Sequence, residues 1–266
     1  MNTIAYKKIG IIGFTVFVVS LVWATSRPWL ASPLQWDGIT TILWPSLALI
    51  VASATVAISW MLLERTVERV AVILASWATF ILFWSPDIWY LTALPVFGLL
   101  WLESSRRVTN DVGDRRRLRI STSLGAGLSP LLLGMFLMVS FGFYLLPSNK
   151  NVGANDVSIG IQKQLESVYD QPMVERQLSQ FPAAMQSQVK RDIAKVVDEN
   201  VQRFVGPLGP FIPPMLAFGL FLILWSVMFI FRELSIWMGV AIFSILKTVG
   251  FVRVGTKDVQ AQIIEL

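Results

Sequence analysis

The chain has 266 residues, 55% hydrophobic and only 15% charged, with a mean hydropathy of +0.63. A soluble domain of that size has too little interior to hide so much apolar side chain, so the composition points to a membrane protein. Net charge is +5, and the absence of cysteine and histidine excludes disulfides, thiolate nucleophiles, Cys/His zinc sites, His-based triads and haem held by either residue.

The charges gather in a few short stretches and leave continuous apolar runs between them. Continuous runs, rather than segments of alternating polarity, favour helices over a barrel. The expected fold is all-α: a polytopic transmembrane bundle of about seven spans, with a small helical extracytoplasmic domain between spans five and six. Residues 1–146 would hold the first five spans, 147–214 the outer domain and its connector, 215–252 the last two spans, and 253–266 a short tail.

Lys7 and Lys8 precede the uncharged run 9–25. A signal peptide cleaved near Val22-Trp23-Ala24 is one reading; an uncleaved first helix is favoured because more spans follow. Either way the amino terminus is placed in the cytoplasm. Residues 27–37 form a short loop whose Trp29 and Trp36 suit the bilayer interface. The uncharged run 38–63 is long enough to cross, and it carries Pro45 near its start. Its small residues Ala48, Ala52, Ser53 and Ala57 fall at helical spacing and would let a neighbour approach.

Glu64, Arg65, Glu68 and Arg69 read as a solvated cytoplasmic turn, with pairs of opposite charge three to four apart. Residues 70–84 would run outward, Ser85-Pro86-Asp87 turn, and 88–102 return, with Trp84 and Trp89 as interface anchors. These two runs are short, so a re-entrant hairpin is the alternative. The basic loop 103–119 follows, with Arg106, Arg107, Arg115, Arg116, Arg117 and Arg119, and a turn over Asn110 to Asp114. Arginines crowded beside an apolar span set orientation, so this loop is expected to be cytoplasmic and to touch lipid head groups. Nucleic-acid binding is not expected, because no aromatic-studded surface accompanies the basic residues.

The fifth span, 124–146, carries Gly125, Gly127, Gly134 and Gly142, residues common at helix contacts in membranes, together with Pro130. Tyr144 and Pro147 would mark its outer boundary. Within 148–203, Ile161, Leu165, Val168 and Tyr169 suggest a first short helix, with breaks at Pro172 and Pro182. The clearest pattern outside the membrane comes next. Met185, Val189, Ile193, Val196, Val197, Val201 and Phe204 form one apolar stripe, with charged residues on the other face. A segment this small has little core of its own, so the stripe needs a neighbour, a second copy or a partner to cover it. The Gly/Pro connector 206–214 follows, then span six at 215–231, a turn at Arg232-Glu233, and 234–252. The last run is expected to cross, which puts the carboxyl terminus outside and leaves Lys247, Arg253 and Lys257 on the side opposite to the usual bias; the alternative, a run lying in the interface, would leave the terminus cytoplasmic.

No internal repeat occurs, and no P-loop, G-x-G-x-x-G or H-E-x-x-H. Ser244 and Lys247 fit S-x-x-K, but the partner motifs are missing and the match sits in an apolar run. No acid–base pair, metal set or cofactor site is legible, so no catalytic residue and no cofactor is assigned. With the Arg232-Glu233 pair read as a turn, the spans hold no charge except Lys247, which argues against an ion-coupled transporter. The expected role is a non-enzymatic structural or interaction protein of the cell membrane, with membrane lipids and a protein partner or second copy as its contacts. The alternative is a channel or transporter component in which the outer helix and the Gly/Pro elbow form a lid.

Overall fold

A computed structural model describes residues 3–31, 39–84, 89–114, 119–146, 158–159, 161, 182–204 and 206–252. Five long helices come first: α1 Thr3–Ala31, α2 Ile39–Leu62, α3 Thr66–Trp84, α4 Trp89–Asp114 and α5 Ile120–Leu145. Then come α6 Ala183–Phe204, a 3₁₀ stretch Gly206–Phe211, α7 Ile212–Ser226 and α8 Met228–Thr248. Among the described residues there is no strand. Six helical stretches are long and apolar enough to cross a membrane: Ala5–Ala31, Ile42–Leu62, Thr66–Trp84, Ile120–Leu145, Gly206–Ser226 and Met228–Thr248. They fit an integral membrane protein. α4 is not among the six, because its apolar half 89–102 runs straight into charged residues.

The chain divides into two units. Unit one comprises Met1–Leu30, Trp36–Gly142 and Phe221–Leu266; unit two comprises Ala31–Gln35 and Phe143–Leu220.

In unit one the register of the helices is fixed by a few contacts. The Ser235 hydroxyl donates to the Ile50 carbonyl at 3.4 Å, and Gly239 lies against Ala54 and Leu124, so α8 runs parallel to α2. The Phe231 and Phe136 rings meet edge-on at 5.6 Å, so α8 runs antiparallel to α5. α5 packs through its glycines. A Cβ at Gly127 would stand 2.4 Å from Val108 Cγ2 and 2.8 Å from the Ser104 carbonyl; at Gly142 it would stand 2.6 Å from the Trp84 ring. A Cβ at Gly134 would touch Trp101, and one at Gly125 would touch Ile236. Only a residue without a side chain admits neighbours this close.

Three sequence expectations need correcting here. The stretch 103–114 is helical: α4 continues to Asp114, and the turn expected over Asn110 to Asp114 is its last turn. Ser104, Ser105 and Val108 are buried while Arg106 and Arg107 are exposed, so this half of α4 is amphipathic and one face packs on α5. Second, Trp84 is no interface anchor: it is fully buried, stacked on Phe80 at 5.5 Å and set against Gly142. Third, Arg232-Glu233 is not a turn. The interruption lies at Val227, whose φ of −95° and ψ of 5° are close to helical. Its N–H donates to Ile223 O at 3.3 Å and its carbonyl accepts from Phe231 N–H at 3.4 Å, so the helix bends there without reversing. Arg and Glu are good helix formers, and nothing at 232–233 breaks the ladder.

The turn 63–65 is also less solvated than its charges suggest. Arg69 is only 8% exposed; its Nε donates to Leu63 O at 2.8 Å and its Nη2 to Glu64 O at 3.3 Å, capping the carbonyls left open at the end of α2. Lys8 of α1 bonds Glu68 at 2.9 Å.

In unit two, α6 starts directly after Pro182, whose carbonyl accepts from Met185 and Gln186 N–H. The last residues of the Gly/Pro connector are already helical: Ile212, Pro213 and Pro214 form the first turn of α7, where proline costs no hydrogen bond. The expected short helix over Ile161, Leu165, Val168 and Tyr169 lies, apart from Ile161, outside the described residues, as do Trp36, Pro86 and Pro147 and the tail 253–266.

Candidate functional site

Three features of the chain bear on function. The first is the basic segment. Arg106 and Arg107 are exposed on α4, and Arg107 Nε pairs with Glu103 one turn earlier at 2.8 Å. Arg119 is exposed just before α5. Arg115, Arg116 and Arg117 lie outside the described residues. The Ser123 hydroxyl donates to Asp111 Oδ2 at 2.6 Å, which ties the end of α4 to the start of α5, where Arg106, Arg107 and Arg119 stand.

By the register of α2, α5 and α8, this end of unit one also carries the start of α1, the 63–65 turn and the end of α8. Lys7 Nζ donates to Phe251 O at 3.1 Å, which joins the start of α1 to the stretch just past α8. Basic residues crowd here: Lys7, Lys8, Arg65, Arg69, Arg106, Arg107, Arg119 and Lys247. At the opposite end of unit one stands Arg27, whose Nη1 donates to Phe83 O at 2.8 Å.

The second feature is the stripe on α6. The structure splits it into two edges. Val201 is 7% exposed and Val189 and Val197 are half-buried, whereas Met185 (53%), Ile193, Val196 (55%) and Phe204 (65%) are open. On the buried edge the Ser158 hydroxyl donates to Asp198 Oδ1 at 2.7 Å. So the Val197–Val201 edge is covered, while the Met185–Val196 edge stays open. Periodicity alone could not divide one stripe between two uses.

The third feature was invisible to the sequence reading. Arg232 and Glu233 lie inside α8, about one turn before Ser235 and two before Gly239, which are level with Ile50 and Ala54 in the middle of α2. The Arg232 side chain leans on α5, with Nη2 3.5 Å from the position a Gly125 Cβ would take. Among the described residues its Nε has no hydrogen-bond partner, and Glu233 is exposed on the outer side of the helix. The apolar helices therefore hold charge at this pair as well as at Lys247. The signal that could have found it is the missing Gly or Pro: a two-residue hairpin between apolar helices needs a breaker, and Arg-Glu is none.

The S-x-x-K match dissolves into helix geometry, since the Ser244 hydroxyl donates to Val240 O at 2.8 Å and Lys247 is exposed. Among the described residues no three acidic side chains gather as a metal site. No known protein family, curated protein or solved structure matches the chain.

Proposed function

We propose that this is a six-crossing membrane protein that presents the bare edge of α6 to a protein partner or second copy on the non-cytoplasmic side. The observation that carries the reading is the split stripe: Met185, Ile193, Val196 and Phe204 stay open while Val201 is buried. Open large apolar groups side by side on an otherwise charged helix mark a binding edge.

The helix register supports a topology in which both termini share one side. α1 to α5 each cross, α4 included, whose 26 residues make ~39 Å of helix. α7 and α8 together make ~55 Å, more than the ~30 Å hydrocarbon core, so they supply one crossing and an extension rather than a hairpin. An even number of crossings puts both termini on one side, and the basic residues there make that side cytoplasmic. Lys247, Arg253 and Lys257 then obey the same bias as the arginines of α4. On this reading the chain between α5 and α8 leaves and returns on the other side, and α6 belongs to the non-cytoplasmic face.

The test is a double substitution, Ile193→Asp with Val196→Asp, in the full chain. Cross-linking from a cysteine at Gln188 should capture a partner or a second copy in the parent and lose it in the double variant, with membrane insertion unchanged. Capture that survives both charges would refute the docking edge. The channel or transporter reading rests on the Arg232-Glu233 pair, because charges at span depth line solute paths. Liposomes carrying the pure protein would have to pass a solute, and Arg232→Met would have to stop it.

A further inference from the structure

The end of α8 is built to hold something beside it. Gly250 N–H donates to Lys247 O at 3.1 Å and Phe251 N–H to Leu246 O at 3.0 Å, the two bonds of a Schellman cap. The cap needs the left-handed conformation that Gly250 adopts, φ 74°. It folds Phe251 back to wall one end of a crevice of about 320 Å³ between α1, α2 and α8. Gly10, Phe14, Ile58, Leu62 and Leu246 form other parts of the wall.

The crevice offers almost nothing to a polar solute. Thr15, Thr55 and Ser59 line it too, but their hydroxyls donate to Ile11, Val51 and Val56 carbonyls of their own helices. A Cβ at Gly10 would meet nothing within 4 Å, so the space is open along α1. Among the described residues the cation at the Phe251 end is Lys7. Lys7 Nζ lies 3.1 Å from Phe251 O and 5.1 Å from the ring centre. An ammonium has three donors, and the carbonyl takes one. Neighbouring Lys8 is already engaged by Glu68 at 2.9 Å and Glu64 at 3.9 Å, so among the described residues of this end Lys7 is a cation with no carboxylate beside it.

We infer that the crevice holds one acyl chain of an anionic phospholipid, whose phosphate sits on Lys7. Apolar walls accept any methylene chain; the ammonium at one end supplies preference for a negative head group, as basic sites between membrane helices do. The site is separate from the arginines of α4, none of which lines the crevice.

The test uses full-length protein, delipidated in detergent and titrated with phosphatidylglycerol or with phosphatidylcholine of the same chains, read by native mass spectrometry. The parent should retain phosphatidylglycerol at about tenfold lower lipid concentration, the scale of one charge-assisted hydrogen bond. Lys7→Gln should bring the two lipids level. Gly10→Phe should lower retention of both, and Gly10→Leu should act in the same direction should the larger side chain disturb folding. Excess inorganic phosphate should not displace the lipid, because phosphate alone has no chain to seat. An undiminished preference in Lys7→Gln, or undiminished retention in both Gly10 variants, would overturn the inference, and neither result touches the α6 docking edge.

Discussion

Single residues set how closely the helices of unit one approach. Gly127 is the tightest point, with Val108 and the Ser104 backbone where a Cβ would go, whereas Gly98 has open space around it. Gly127→Ala should therefore cost about 1–3 kcal/mol by overpacking. Gly98→Ala should cost nothing, since alanine is the better helix former by ~1 kcal/mol. Denaturant titration in detergent separates the two; equal midpoints would mean α5 is not held by these contacts. The glycines of α5 were legible in the sequence as contact points, because no other role in a long apolar helix explains four of them. Trp84 was not. A tryptophan beside a turn has the same sequence signature whether it lies in the head-group layer or fills the notch left by a glycine 58 positions away, at Gly142.

Helices, the next scale up, were readable where apolar runs are bounded by proline or charge, as for α2, α5 and α6. They were misread where charge alone was taken as the end of a helix. α4 runs through Glu103, Arg106 and Arg107 because those residues can stay on its open face while Ser104, Ser105 and Val108 pack. α8 runs through Arg232 and Glu233 because neither breaks a helix. Arg232 has a consequence that can be measured. Its Nε lies buried without a partner among the described residues, so the side chain adds little to folding. Arg232→Met should leave the melting temperature in detergent unchanged or raise it. A fall of more than a few degrees would make Arg232 a structural strut and remove the main support for a solute path. α6 shows the limit from the other side. Its stripe was plain in the sequence, but which edge is covered depends on contacts such as Ser158 with Asp198, 40 residues apart, which no local period encodes.

For the molecule as a whole, the contact between Lys7 and Phe251 carries more than its own energy, because it puts the start of α1 and the end of α8 at one end of unit one. Read as seven spans, the chain leaves Lys247, Arg253 and Lys257 on the side opposite to the other basic residues. With six crossings the conflict disappears. The chain has no cysteine, so single cysteines report sidedness without background. The decisive measurement places one cysteine in turn at Asp111, Gln188 and Gln260 and treats intact cells with a membrane-impermeant thiol reagent. Position 188 should react at once, while 111 and 260 should react only after the membrane is opened. Labelling at 260 in intact cells would restore a seventh crossing, and labelling at 111 with protection at 188 would invert the whole arrangement.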